Sequence, residues 1–308
     1  LGANYGSHST RLTQLTVYFT RCKTQPFAKK DTPMASKITF IGAGNMAGAI
    51  IGGLIESGVS PSDITATAPN ESELAPLKAR LGIHTHTDNS AAVNGADVVV
   101  LAVKPQIMRG VCEALRESVQ QQAPLVISIA AGLDANTIDQ WLGGGNALVR
   151  CMPNTPSLVG IGASGLYANA AVSDAQRTLA TQLMEAVGIV EWVEEERLLD
   201  AVTAVSGSAP AYFFLMFEAM EEAAVKLGLP AETARRLAIQ TALGASTMAQ
   251  RSDKDPATLK QNVMSPGGTT ERAIAHMEDA HLRTIIADAM QACAARADAM
   301  SKELSGND

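Results

Sequence analysis

Two glycine-rich segments carry the residue types that bind anions. The first is Gly42-Ala43-Gly44-Asn45-Met46-Ala47. It follows the apolar run Ile38-Thr39-Phe40-Ile41 and opens a helical stretch that reaches Ser57 and closes at Gly58. Strand, glycine turn and helix in direct succession form the context a dinucleotide-binding loop requires. Gly42 permits the tight turn, Gly44 lets the backbone approach a pyrophosphate, and Ala47 lets the helix pack closely on the strand. The pyrophosphate would then face unpaired N–H groups and the positive end of a helix. The plainer alternative is an ordinary glycine-rich turn, but the placement after the first strand favours a cofactor.

The second segment is Met264-Ser265-Pro266-Gly267-Gly268-Thr269-Thr270, set between helical stretches. Consecutive glycines beside a helix start expose N–H groups, and hydroxyls flank them, which suits an anion. A plain interhelix loop would not need this serine, two glycines and two threonines together. Ser265, Gly267, Gly268, Thr269 and Thr270 are therefore expected to take a carboxylate.

The elements that must position these loops are legible on either side. Strand-like runs occur at Ile64–Ala68, Ile83–Thr87, Val98–Val103, Leu125–Ile129 and Ala147–Met152, with helical stretches such as Glu71–Leu81 and Ala91–Asn94 between them. That alternation predicts an α/β fold, a Rossmann-type doubly wound parallel sheet. Ligands of such sheets bind at the carboxyl ends of strands. Three ends look shaped for contact: Ala102-Val103-Lys104-Pro105, Ala131-Gly132 after Ala130, and the rigid turn Met152-Pro153-Asn154-Thr155-Pro156. Lys104 reads as a positioning or solvated residue rather than a catalytic cation.

The tip of the second strand bears on cofactor type. An NAD site usually has Asp or Glu there to bind the ribose hydroxyls. Here the tip is Thr67-Ala68-Pro69-Asn70, with Glu71 and Glu73 only after it and Lys78 and Arg80 one helix further on. The missing carboxylate leaves room for a 2′-phosphate at Asn70, so NADPH is favoured over NADH.

Composition narrows the rest. The chain has 308 residues, 46% hydrophobic and 18% charged, enough for one large or two ordinary domains. A net charge of −7 and only 4% aromatics disfavour a nucleic-acid surface. The longest strand-like apolar run, Val98–Val103, has six residues, which on length excludes a membrane span. Cys22, Cys112, Cys151 and Cys293 are scattered with no CxxC pair, which fits a reducing, cytoplasmic setting. His84, His86 and Asp88 would share one strand face, but a solvated face is the better reading than a metal site. No metal site is expected.

Residues 1–33 stand apart. They carry five basic groups and one acid, a net +4, so the remainder carries −11. Met34-Ala35-Ser36-Lys37 then leads directly into a strand, as a natural start would. The segment reads as a non-native or disordered extension rather than a transit peptide, and it lacks the apolar stretch of a signal peptide. The expected organisation is 1–33 extension, 34–196 dinucleotide-binding domain and 197–308 helical domain.

Beyond about Arg197 the chain reads as all-α. Ser208 with Pro210 suggests a helix start, Gly228 with Pro230 its end and the next beginning, and Asp255-Pro256 a further start. The stripe Tyr212, Phe213, Leu215, Met216 and Met220 reads as core or subunit interface. Helices are expected over Pro230–Gln250, Asp255–Val263, Thr270–Met277 and Ala280–Leu304.

Taken in order, Ile41–Ala47, Ala102–Gln106, Met152–Pro156, Ser206-Gly207-Ser208-Ala209-Pro210-Ala211-Tyr212 and Ser265–Thr270 make the chain similar to the pyrroline-5-carboxylate reductase family, over about Lys37 to Leu304. One departure is Ala209, where many members have glycine. The resemblance implies reduction of 1-pyrroline-5-carboxylate to L-proline with NADPH or NADH, the last step of proline biosynthesis. It implies a Rossmann domain followed by a helical dimerisation domain, with homodimers assembling into larger rings of up to ten chains. It also implies that Ser265–Thr270 binds the substrate carboxylate and that Thr270, the expected catalytic residue, hydrogen-bonds the ring nitrogen. A protonated cyclic imine is already a strong electrophile, so holding two reactants in line suffices. Two alternatives compete. A 3-hydroxyacid-dehydrogenase-like oxidoreductase would need a helix lysine, yet Gly207–Glu222 contains none. A non-catalytic NADP-sensing protein would have no use for a second anion loop.

Overall fold

A computed structural model describes residues 36–305. The break at Met34 and the N-terminal extension lie outside the described residues. Contacts divide the chain into two compact units: one runs to Ala219 and resumes at His276, the other is Met220–Ala275.

In the first unit the strands and helices alternate as expected. They are β1 (Ile38–Ile41), α1 (Asn45–Glu56), β2 (Ile64–Thr67), α2 (Glu71–Leu81), β3 (His84–His86), α3 (Asn89–Val93), β4 (Val98–Leu101), α4 (Pro105–Gln122), β5 (Leu125–Ser128), α5 (Ala135–Trp141) and β6 (Leu148–Met152). Next come β7 (Gly162–Ala168), α6 (Asp174–Glu185), β8 (Gly188–Trp192) and α7 (Leu198–Val202). The strand order is β3-β2-β1-β4-β5-β6-β7-β8. Its first six positions are the doubly wound order of dinucleotide-binding folds.

Burial on both faces explains the β-branched runs. Phe40, Val98, Val100 and Ile127 pack against Ile50, Ile51 and Leu54 of α1. Ile41, Val99, Leu101 and Val126 pack against Met108, Cys112 and Leu115 of α4. The alternation along each strand assigns each residue to one layer.

The sheet is not wholly parallel, which corrects the expectation: β7 pairs with β6 antiparallel, while β7 and β8 are parallel. Nine residues separate Met152 from Gly162, too few for a parallel crossover. The strand hid from sequence reading because it is built of small residues, and close packing demands them. A Cβ on Gly165 would meet the Val202 side chain at 2.6 Å, and one on Gly162 would strike Ser157. β8 holds its own satellite contact, with Arg177 over the Trp192 ring at 4.2 Å.

The expected helix start at Ser208 is also corrected. The helical path begins at α7 and continues through a π turn, Thr203–Gly207, into α8 (Ala209–Lys226). The Ser208 N–H reaches back to the Thr203 carbonyl at 2.8 Å. Pro210 has no N–H to continue the ordinary pattern, so the chain passes through a wider turn instead of stopping. The resulting path, Leu198–Lys226, is 29 residues long and, by length and composition alone, could cross a membrane. The exclusion on length therefore fails. Phe213, Phe214, Leu215 and Met216 lie exposed along it.

In the second unit α8 ends at Gly228, whose φ of 100° suits glycine. There follow α9 (Ala231–Arg251), α10 (Pro256–Asn262) capped by Asp255, and α11 (Thr269–Asp279). Arg235 grips Glu221 through two hydrogen bonds of 2.7 and 2.8 Å, tying α9 to α8. Back in the first unit, α12 (Leu282–Ser305) packs on α7 and the π turn.

Candidate active site

The carboxyl ends of β1, β2, β4, β5 and β6 share one edge, and most of the sequence-predicted residues stand there. Gly42 follows β1 with φ of 106°. Its N–H donates to the Thr67 carbonyl at 3.2 Å and approaches the Thr67 hydroxyl at 3.3 Å. That hydroxyl donates in turn to the Phe40 carbonyl at 3.3 Å. Thr67, fully buried, thus braces the glycine turn, a role its place in the strand tip did not reveal.

A Cβ on Gly42 would sit 2.6 Å from the Ala102 carbonyl oxygen, so the turn and the end of β4 are in direct backbone contact. Gly44 is the N-cap of α1 and makes no side-chain cap. A Cβ there would meet nothing within 4 Å. Ala43 and Met46 are half-buried and Asn45 exposed, while Ala47 is buried in the helix–strand contact. The turn is open where a pyrophosphate belongs and closed where the helix must touch the strand, so it fits the cofactor the sequence implies.

Asn70 caps α2 from an exposed position, and its amide donates to Glu73 at 2.8 Å. Arg80 swings back so that its guanidinium lies beside Gly48 of α1. It lines the same groove as Ala43, Gly44, Asn45 and Glu73. Sequence reading left Arg80 a helix away, because only the packing of α2 on α1 brings it round.

Ala102 and Val103 are half-buried, Lys104 is exposed as the N-cap of α4, and Pro105 takes the first helical position. Ala131 and Gly132 form the turn after β5, with Gly132 at φ of 72° against Met300 and Leu304 of α12.

Beside them lies a cavity of about 230 Å³, lined by Ala131, Gly132, Arg150, Met152, Asp200 and Ser208 among others. Burial pushes the Asp200 carboxyl up, and Asp298 and Glu196 add to the shift against the opposing pull of Arg150. Asp134 goes the other way. Burial opposes its charge, but the Thr137 N–H, the Thr137 and Ser305 hydroxyls and Arg150 prevail and hold it below the ordinary range. Glu196 accepts from Ala135 N–H at 2.6 Å and from Arg150 at 2.7 Å.

Asparagine would keep the cap of α5, but the Asp134 charge is held by Thr137, Ser305 and Arg150, so Asp134→Asn should cost about 1–2 kcal/mol in thermal or urea unfolding at neutral pH. A lowered folded value means this stability is present above the unfolded carboxylate pKa. It fades as pH falls through the folded one, so the two proteins should converge in acid. A pH-independent difference would remove the charge from the account.

Pro153 and Asn154 are buried. Both ends of the Asn154 amide are engaged: Oδ1 accepts from Ala163 N–H at 2.9 Å and Nδ2 donates to the Ser206 carbonyl at 3.1 Å.

Ser265, Gly267, Gly268, Thr269 and Thr270 are not part of this edge unit; they form a separate turn in the Met220–Ala275 unit. Gly267 has φ of 69°, and Gly268 N–H closes the turn on the Ser265 carbonyl at 2.8 Å. The Gly267 N–H is held by the Glu271 carboxylate at 2.6 Å. The loop thus already binds one carboxylate, its own. The first N–H groups of α11, at Thr269 and Thr270, have no intrahelical carbonyl to reach. Thr270 is half-buried at the helix start.

Elsewhere, His84 and His86 are exposed, and no cluster of metal-ligating side chains occurs among the described residues. Burial pushes the Cys112 and Cys151 thiols up to about 12, aided at Cys112 by Glu113, which makes them inert.

Two family models match the chain: "NADP oxidoreductase coenzyme F420-dependent" over residues 37–132 and "Pyrroline-5-carboxylate reductase dimerisation" over 196–300. The second covers the exposed apolar helix path and assigns it to oligomerisation. Pyrroline-5-carboxylate reductase of Pseudomonas aeruginosa is 48% identical over 268 residues, spanning 87% of this chain and 98% of that protein. Among solved structures, a pyrroline-5-carboxylate reductase from Coxiella burnetii aligns with a TM-score of 0.85 at 46% identity, over 87% of this chain and all of that one. The pyrroline carboxylate reductase of Plasmodium falciparum, solved with NADP bound, aligns at 0.77 and 28% identity, over 88% and 100%. A doubly wound sheet with an open glycine turn, a helical region with a glycine-rich loop, and these likenesses over nearly the whole length of the relatives lead to one assignment: the chain belongs to the pyrroline-5-carboxylate reductase family.

Proposed function

We propose that the protein reduces 1-pyrroline-5-carboxylate to L-proline with NADPH, in the cytoplasm, as a homodimer that assembles further into a ring. The observation that carries this reading is the open, pinned turn at Gly42–Gly44 together with the family's dimerisation match over residues 196–300. We assign residues 34–196 to cofactor binding and 197–308 to substrate binding and dimerisation. Bound NADPH supplies the hydride. The backbone of Gly42–Ala47 holds the pyrophosphate, and Asn70 stands where the 2′-phosphate belongs. Ala102–Pro105, Ala131, Gly132, Pro153 and Asn154 shape the edge beyond it.

At the other loop, the N–H groups beside Gly268 and the hydroxyls of Ser265, Thr269 and Thr270 take the substrate carboxylate. The Thr270 hydroxyl bonds the ring nitrogen. Lys104, exposed at the start of α4, is taken as a positioning or solvated residue rather than a catalytic cation. NADPH oxidation followed with pyrroline-5-carboxylate tests the whole reading, and absence of turnover would overturn it. Sedimentation or light scattering tests the ring.

Thr270→Ala should lower kcat by roughly 5- to 30-fold with little change in NADPH affinity, the worth of one hydrogen bond of about 1–2 kcal/mol. Unchanged kinetics would remove Thr270 from the mechanism.

A further inference from the structure

We propose that Asn154 is a positioning residue for hydride transfer. It ties the end of β6, the start of β7 and the π turn into one rigid corner at the nicotinamide side of the sheet edge. This rests on the reductase reading above.

Three features of the structure meet at this side chain. First, Pro210 deprives the Ser206 carbonyl of the donor that a helix would supply four residues on. A half-buried carbonyl left without a partner is costly, and the Asn154 amide supplies the missing donor at 3.1 Å. Second, the other end of the same amide accepts from Ala163 at 2.9 Å, where β7 begins. A side chain 7% exposed, with donor and acceptor both committed, has one orientation. Third, the π turn is pressed against the end of β6, since a Cβ on Gly207 would strike the Met152 thioether methyl.

The corner lies at the carboxyl end of β6, in the second half of the doubly wound order. The first half, β1 to β3, takes the adenosine end of a dinucleotide, which leaves this half to the nicotinamide. Asn154 thus fixes the wall against which the reacting ring rests. Its amide is oriented by these two bonds, one at each end, and its part in the reaction is to hold this wall in place. Misplacing such a wall slows the chemical step without weakening the grip on the pyrophosphate.

The test is Asn154→Ala in the full-length enzyme, with Asn154→Asp beside it should the alanine variant not fold. The aspartate keeps the acceptor for Ala163 and loses the donor to Ser206. We expect kcat to fall about tenfold while the Kd for NADPH, read by fluorescence, stays within about threefold. The kinetic isotope effect with 4-deuterated NADPH should rise, because hydride transfer becomes more rate-limiting. Adding Pro210→Ala restores an N–H for the Ser206 carbonyl. It should recover the melting temperature of the Asn154→Ala protein but not its kcat.

Parental kcat in both variants would overturn the proposal. So would a loss of NADPH affinity parallel to the loss of kcat, which would make Asn154 a cofactor ligand. Full recovery of kcat by Pro210→Ala would reduce it to a helix partner. A parent enzyme that never turns over would overturn the reductase reading along with it, a result distinct from an active parent with unchanged variants.

Discussion

Replacing Gly42 with alanine should weaken NADPH binding by roughly 150-fold, about 3 kcal/mol. Two costs combine. At φ of 106° an L side chain is strained. The new Cβ would also stand 2.6 Å from the Ala102 carbonyl oxygen, which is backbone and cannot rotate away. Nor can the turn slide. The Gly42 N–H is tied to Thr67, and the Ala102 N–H is tied to the Ile41 carbonyl at 2.8 Å. The relief left is to part β1 from β4, which tilts the α1 N-terminus away from the pyrophosphate. A fluorescence titration with NADPH and a thermal melt measure the two consequences separately. Affinity within threefold of the parent would show that the cofactor does not lie on this turn.

Asn70→Asp should shift preference from NADPH toward NADH, by about 1–3 kcal/mol against NADPH. The structure adds a condition. The Asn70 amide donates to Glu73 at 2.8 Å, so an aspartate would face a carboxylate and turn away from it. The full effect is therefore expected in Asn70→Asp with Glu73→Gln, where the new carboxylate can stay at the strand tip. Helix α2 should tolerate the change, because aspartate is a good N-cap. The ratio of kcat/KM for the two cofactors is the measurement. If it does not move in the double variant, the adenosine phosphate sits elsewhere.

Strands β1, β4 and β5 were legible because both faces are buried, which leaves unbroken runs such as Val98–Leu101. The glycine turn was legible because few other contexts put Gly42 and Gly44 between a strand and a helix. The seventh strand was not, since Gly162 and Gly165 trade strand character for close approach to Ser157 and Val202. Ser208 misled for a related reason. Ser-x-Pro usually opens a helix, and only the path through Thr203–Gly207 shows that the helix was already under way. At the site, residue types gave the edge and the loop. They could not give Thr67 behind the turn, Arg80 folded over α1, or the partners of Asn154, because those depend on contacts between residues far apart in sequence.

The hydrogen bond from Ser305 to Asp134 spans 171 residues. Together with Met300 and Leu304 against Gly132, it seats the last turn of α12 on the turn that follows β5. Loop closure over such a distance is entropically costly and comes late in folding. A ribosome delivers β1 to β5 long before it delivers α12. The glycine turn after β1 meets its β4 partner, Ala102, early, while the turn at Ala131–Gly132 gains its final packing only once Met300, Leu304 and Ser305 have been made.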